Sequence, residues 1–146
     1  NMIKLNFPDF EFKLKKIDNK TFIFDSFRKK YILLTPEEWV RQHVLNFLVF
    51  KKIPITHIAI EKQIIINNLN KRFDIVVYNK TGDVIMLIEC KSPSVKLTQN
   101  VFDQISIYNL KLNSKYCMVT NGLDHLYFKI DKLSKKFTFV KDFPIK

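Results

Sequence analysis

Hydrophobic and polar residues alternate one by one along the first part of the chain. The alternation runs through residues 10–33 and is interrupted at Asp18, Asn19 and Lys20. A period of two places the apolar side chains of an extended segment on one face, and Asp and Asn favour turns. The pattern predicts a small β-meander, which we assign to residues 2–34 as an extension that precedes the main domain.

The period changes at Thr35, where a helix is predicted to begin. Thr35 is a favourable N-cap residue, Pro36 suits the first helical position, and Glu38 stands three residues after the cap. Apolar residues then recur at the spacing of an amphipathic helix as far as about Phe50, at Val40, Val44, Phe47 and Leu48. We therefore expect this helix to open the main domain, residues 35–146.

Five further segments are predicted to be strands. They are separated by turn residues and comprise residues 57–66, 72–78, 83–91, 115–120 and 125–130. A second helix is predicted from Thr98 to about Leu112. Because residues 84–88 are all apolar, the third segment indicates a central strand covered on both faces. The expected fold is α/β, a restriction-endonuclease-like core with a mixed central sheet flanked by helices in the order αβββαββ.

Charged residues interrupt two of these apolar strands. Glu89 and Lys91 close the third strand, and their spacing of two places both side chains on one face of the sheet. If a short turn sets Asn79 opposite Val84, then Asp74 on the preceding strand lies opposite Glu89. Two facing carboxylates repel, and a divalent cation commonly offsets that repulsion. The alternative is an ion pair of Lys91 with either carboxylate.

Composition narrows the classes of function. The chain has 146 residues and a formal net charge of +11, and its 14 Phe and 2 Gly exclude a linker or low-complexity protein. The basic excess is mainly lysine, which indicates a polyanionic partner such as DNA or reflects a coding bias toward AT-rich codons. Cys90 and Cys117 lack the spacing of a zinc or redox motif and are expected to be buried free thiols. No apolar run reaches the ~20 residues that span a bilayer, so we expect a cytoplasmic protein without membrane association.

The order of these features is similar to that of a known nuclease superfamily. A helix with Glu, a strand with Asp, a strand with ExK and a helix with Gln and Tyr resemble the PD-(D/E)xK nucleases, with Asp74 as the Asp motif and residues 89–91 as ExK. Gln104, Ile105 and Tyr108 match the QhxxY motif of the RecB-like branch. Between residues 35 and 128, five segments resemble the N-terminal nuclease domain of type I restriction enzyme R subunits: TPEEWVRQ (35–42), KRFDIVVY (71–78), LIECKSPSV (87–95), FDQISIY (102–108) and VTNGL (119–123).

The resemblance implies a metal-dependent endonuclease of the restriction-enzyme type that hydrolyses phosphodiester bonds of DNA. It implies an Mg²⁺ or Mn²⁺ ion held by Asp74, Glu89 and the backbone carbonyl of Cys90, all of them hard oxygen ligands that suit magnesium. Lys91 would orient the attacking water or help to deprotonate it.

Several other residues are candidates for the site, each with a structural alternative. The resemblance implies a glutamate on the first helix, for which we choose Glu38 over Glu37, although Glu38 also suits a capping box with Thr35. Gln104, expected on the inward stripe of the second helix, would contact the site or a phosphate, or else make a structural hydrogen bond. Weaker candidates are three DNA contacts, Arg41, Arg72 and Tyr108, and one acidic residue, Glu61. For the two arginines, solvated or helix-end roles are the alternative.

The expected partners are DNA and, from the resemblance, subunits of a restriction system or a helicase, with a homodimer as a further candidate. R subunits of the resembled family also carry a translocating ATPase, whereas this sequence contains no GxxxxGK[ST] phosphate loop. Two alternatives to the nuclease remain open. One is a non-catalytic nucleic-acid-binding module, and the other is an adaptor of a restriction or repair complex that uses the meander as its interaction surface.

Overall fold

The computed structural model describes two sheets and two helices. The residues it describes are 2–66, 69–112, 114–131 and 133–146, with the side chains of residues 64, 66, 69 and 108–112 outside that description. The sheets have three and six strands. None of the helices in these residues is long and apolar enough to span a membrane.

The N-terminal sheet is the predicted β-meander. Strands β1 (Leu14–Ile17), β2 (Lys20–Asp25) and β3 (Lys30–Leu33) are antiparallel and lie in that order. The hairpin between β1 and β2 turns on Asp18 and Asn19, whose φ angles are 49° and 65°. A two-residue hairpin of type I′ requires positive φ at both positions, and Asp and Asn tolerate it better than most residues. The predicted turn is therefore confirmed, with its physical reason.

Helix α1 (Pro36–Phe50) begins and ends where the pattern predicts. The Thr35 side-chain oxygen accepts a hydrogen bond from the Glu38 N–H at 3.0 Å, which caps the helix. Phe47 is only half-buried. The other apolar residues that face the sheet are fully buried: Val40, Val44, Leu45 and Leu48.

The main sheet is mixed, as expected. Its strand order follows the chain, β6 and β7 are parallel, and the other neighbouring pairs are antiparallel. A parallel pair needs a crossover connection, which helix α2 (Gln99–Leu112) supplies between β6 and β7. The strands are β4 (Ile58–Ile66), β5 (Leu69–Tyr78), β6 (Val84–Cys90), β7 (Tyr116–Thr120), β8 (His125–Ile130) and β9 (Phe137–Val140). The last strand was not predicted, because a short alternating run at a sheet edge gives a weak signal.

The predicted inward position of Gln104 was wrong. Gln104 is exposed, whereas Phe102, Ile105 and Ser106 are buried on helix α2. The ring centroid of Phe102 lies 4.7 Å from that of Phe128 in β8. Because a large aromatic side chain gains more from burial than an amide, the helix turns Phe102 toward the sheet and Gln104 toward solvent.

The segment before β1 is anchored on the main sheet at Gly122. Leu5 is 4% exposed, and the Asn6 N–H donates a hydrogen bond to the Gly122 carbonyl at 2.7 Å. Gly122 has φ +87°, and a Cβ atom there would lie 2.8 Å from a Leu5 methyl carbon and 3.1 Å from Val40. The turn between β7 and β8 therefore requires glycine both for its backbone angle and for the close approach of Leu5.

We expect Gly122→Ala to destabilise the fold more than Gly82→Ala. Both glycines have φ near +87° (+87° and +86°), but a Cβ at Gly82 would meet nothing within 4 Å. The strain of positive φ costs about 1–2 kcal/mol at either position. Overpacking against Leu5 adds about 1–3 kcal/mol at Gly122 alone. Urea unfolding monitored by circular dichroism measures both, and equal losses would contradict the close packing of Leu5.

Candidate active site

The turn between β5 and β6 differs from the predicted one. Tyr78, not Asn79, lies opposite Val84, so the predicted pair was wrong. Asn79 instead closes the turn, with its N–H donating to the Asp83 carbonyl at 2.9 Å. A register shift between Val77 and Tyr78 then restores the offset that the prediction assumed for the rest of the two strands.

Three carboxylates lie in one row across the sheet. Because Ile75 lies opposite Ile88, the next positions along the two strands are Asp74 and Glu89, as predicted. On the other side of β5, the register with β4 sets Glu61 opposite Asp74. Glu61 also has φ +53°, a conformation that costs a non-glycine residue about 1–2 kcal/mol. Adjacent strands thus bring three acidic residues to the same level.

A cleft of about 290 Å³ opens over this row. Six of its lining residues were proposed from the sequence as catalytic residues, metal ligands, DNA contacts or minor candidates of the site: Arg41, Glu61, Arg72, Asp74, Glu89 and Lys91. The proposed ligand Cys90 also belongs to the lining, and so does Glu37. These predicted residues therefore line one cleft, together with Glu37.

Asp74 is held at both oxygens by hydrogen bonds. Its Oδ2 accepts the Cys90 backbone N–H at 2.8 Å, which joins β5 to β6. Its Oδ1 accepts Nη2 of Arg41 from helix α1 at 2.6 Å. Arg41, a candidate DNA contact, is thus bound to carboxylates. Burial lowers the pKa of Arg41, but the hydrogen bond and charge of Asp74 and the charge of Glu38 outweigh it, so the pKa is raised.

Glu38 lies beneath the cleft, among buried polar groups. It is 4% exposed. Its Oε1 accepts Nη1 of Arg41 at 2.6 Å, and its Oε2 accepts Nε2 of Gln42 at 2.9 Å and Nη2 of Arg28 at 3.3 Å. Glu37, with a side chain 49% exposed, lies in the cleft lining and accepts the other Arg41 nitrogen at 3.0 Å. Of the two glutamates, the one that reaches the cleft is Glu37, whereas the sequence-based choice was Glu38.

The buried network continues into the meander through Asp25. Asp25 is fully buried at the end of β2 and accepts Arg28 Nε at 2.7 Å and Gln42 Nε2 at 3.0 Å. Burial raises the pKa of Asp25, but hydrogen bonds from Arg28 and Gln42 lower it by more, so the net shift of the pKa is downward. Sequence reasoning missed these three residues. The available signal was that Asp25, in the alternating segment TFIFD, stands at one of the positions expected to face inward.

We expect Glu38→Gln to cost about 3–5 kcal/mol of unfolding free energy, because it removes the charge that pairs with two partly or fully buried arginines. The matched change Glu37→Gln removes an exposed partner of Arg41 and costs less than about 1 kcal/mol. Chemical denaturation of the two variants at neutral pH measures the difference. A small loss for Glu38→Gln would mean that its contacts are not coupled to folding.

Glu89 is a buried carboxylate with an upward-shifted pKa. Burial and the charge of Asp74 raise the pKa of Glu89 to about 7, against lowering by Lys71 and Lys91. Lys71 Nζ lies 3.6 Å from its Oε1, which among the described residues is a buried oxygen without a hydrogen bond. Lys71 was also missed, because the strand register does not set it opposite Glu89 and the contact depends on its long side chain.

We expect Glu89 to destabilise the metal-free fold as pH rises. Its pKa is about 7 in the folded chain against an ordinary value of 4.5, so the folded state binds the proton more tightly and stability falls between these two pH values. In buffer with EDTA, Glu89→Gln should gain up to about 3 kcal/mol relative to the parent between pH 4.5 and 7.5. Urea titrations across this range test it, and a constant difference between the two proteins would contradict the shift.

The donor atoms of the cleft suit a divalent cation. Asp74 and Glu89 offer hard oxygens, and Glu89 Oε1 is buried without a hydrogen bond in the described part of the chain. Each Asp74 oxygen accepts one hydrogen bond and keeps a further lone pair. Within the described residues no group of three or more His, Cys, Asp or Glu side chains is placed to hold a metal together. A cation here would take two protein carboxylates and complete its shell with backbone oxygen, water and phosphate.

The remaining candidates lie apart from the cleft or outside the description. Gln104 is exposed on α2 and is not among the described residues that line the cleft. The side chain of Tyr108 lies outside the described residues. Cys90 and Cys117 are buried free cysteines, as predicted.

The sequence matches a known protein family over most of its length. The family model described as type I restriction enzyme R protein N terminus matches residues 36–144, from the start of α1 to beyond β9. The chain belongs to this family. No curated protein and no solved structure matches it. Membership in a family of R protein N termini associates the chain with restriction enzymes, and the match begins at the boundary where the alternating pattern gives way to helix.

Proposed function

We propose that this R protein N-terminal domain is a metal-dependent endonuclease of the PD-(D/E)xK type that hydrolyses DNA phosphodiester bonds. The observation that carries the proposal is the position of Asp74 beside Glu89, with Lys91 lining the same cleft. Two neighbouring like charges, one of them buried, are costly, and such pairs are common where they serve chemistry. The net charge of +11 supports a polyanionic substrate.

Asp74, Glu89 and the backbone carbonyl of Cys90 would hold one Mg²⁺ or Mn²⁺ ion. When bound, the ion would stabilise the negative charge that develops on the phosphate. The protein supplies fixed ligands, because the Cys90 N–H keeps Asp74 at the edge of β6 and burial immobilises Glu89. Arg41 donates a hydrogen bond to Asp74 and would hold that carboxylate in position.

Lys91 would orient the attacking water, and its positive charge would ease the loss of the water's proton to solvent. Its backbone is fixed directly after β6 by the hydrogen bond of its N–H to the Thr120 carbonyl at 2.8 Å. Its half-buried side chain lines the cleft with Glu89. A fixed cation beside a buried carboxylate orients a polar group at low reorganisation cost. Arg72, also in the lining, would contact a phosphate oxygen.

One observation favours a second candidate, a non-catalytic nucleic-acid-binding module. Arg41 Nη2 donates a hydrogen bond to Asp74 Oδ1 at 2.6 Å, and a guanidinium in this position compensates the charge of the carboxylate without any metal. In such a module the carboxylates would be structural, and DNA binding would depend on the lysines alone.

We expect Mg²⁺- or Mn²⁺-dependent nicking of supercoiled plasmid DNA, lost in EDTA. Lys91→Ala should lower the rate at least about 100-fold, the lower end of what positioned acid–base groups contribute. The matched control is Lys141→Ala, which removes an exposed lysine beyond β9 and should leave the rate unchanged.

Metal binding separates the two candidates. If the carboxylates hold the ion, Mn²⁺ should raise the melting temperature of Lys91→Ala but not that of Asp74→Asn. Absence of both nicking and metal-dependent stabilisation in the parent protein would leave the binding module as the function. Stabilisation without nicking would mean that cleavage depends on a restriction-system subunit.

A further inference from the structure

One face of the meander combines exposed and half-buried aromatic rings with lysines. Strand alternation and the register place six residues on this outer face: Lys13, Lys15, Phe22, Phe24, Tyr31 and Leu33. The opposite face carries the fully buried Ile23 and Asp25. Tyr31 and Leu33 are 38% and 44% exposed, so apolar and aromatic surface faces solvent.

The rings and the lysines of the outer face lie in contact. The Phe24 and Tyr31 rings meet at 5.2 Å between centroids. Lys15 Nζ lies 4.6 Å from the Tyr31 ring centre, and Lys13 Nζ lies 5.7 Å from that of Phe24. None of the six residues is acidic. A surface that pairs aromatic rings with cations matches a single nucleic-acid strand, whose bases stack and whose phosphates are negative.

The turn at one end of the outer face lies beside the cleft. Arg28 lies in the turn that joins β2 to β3, three residues before Tyr31, and its Nη1 is 3.6 Å from Glu61 in the cleft lining. Lys29 and Lys30, between them, are exposed. A strand that crosses the outer face and passes this turn therefore comes to the edge of the cleft.

We propose that the outer face of the meander binds single-stranded DNA and leads that strand into the cleft. Tyr31 and Phe24 stack on bases, and Lys13 and Lys15 bind the adjacent phosphates. The proposal rests on the proposed function for the chemistry of the substrate, but binding on this face does not require cleavage.

The test is the affinity for a fluorescein-labelled oligothymidylate of about 20 nucleotides, long enough for the ~4–16-nucleotide sites of such surfaces. Fluorescence anisotropy is measured in EDTA, which prevents cleavage. Tyr31→Leu keeps an apolar side chain and should weaken binding at least about fivefold, the effect of losing one stacked base. Phe139→Leu, at an exposed aromatic residue of the remote strand β9, should change it less than about twofold.

A second pair of variants tests the contacts between lysines and phosphates. Lys15→Gln should weaken binding and reduce the slope of log affinity against log salt by about 0.7. Its neighbour Lys16 is equally exposed but points to the opposite face, so Lys16→Gln should leave both quantities unchanged.

Equal affinities for the parent and Tyr31→Leu would overturn the proposal, as would equal effects of Lys15→Gln and Lys16→Gln. A change of sedimentation coefficient in Tyr31→Leu without a change in DNA affinity would also overturn it, since the face would then bind a second copy. Failure of the proposed function is a separate result. Tyr31-dependent binding with neither metal-dependent nicking nor metal-dependent stabilisation contradicts the nuclease alone, and nicking without Tyr31-dependent binding contradicts this inference alone.

Discussion

Arg41 fixes the geometry of the cleft. A buried guanidinium is stable only when carboxylates and hydrogen bonds compensate its lost hydration, and here Asp74, Glu38 and Glu37 do so at its two Nη atoms. Because Arg41 belongs to α1 and Asp74 to β5, their bond ties the helix to the strand that carries the acidic row. Glu38 extends the same compensation to Arg28, and through it to the N-terminal sheet. One charge therefore holds three parts of the chain in register.

The fold was largely predictable because its signals are local. Alternation, helical spacing and the Thr35 cap set the bounds of the meander and of α1 to within a few residues. The pairing of Asp74 with Glu89 was also predictable, because charged residues inside apolar strands are rare and a short turn between two strands limits which residues can face each other. The route to it was partly wrong: the turn closes on Asn79, and a register shift after Val77 compensates.

The tertiary contacts of the site were not predictable from the sequence. No local pattern indicates that Arg28 reaches Glu38, or that Asp25 and Gln42 meet beneath the cleft. Glu37 and Glu38 are neighbours with similar local arguments, and only the packed helix decides which one reaches the cleft. The error at Gln104 has the same origin, since the rotation of α2 about its axis depends on the packing of Phe102 against the sheet.

The bond from the Cys90 amide to Asp74 has a spectroscopic consequence. This N–H points at a carboxylate rather than at a neighbouring strand, so its proton resonance depends on the charge that the carboxylate carries. Its exchange with solvent deuterium would likewise follow any rearrangement that draws Asp74 away. A single amide cross-peak, from a residue of the cleft lining, thus registers the state of Asp74 without a substrate.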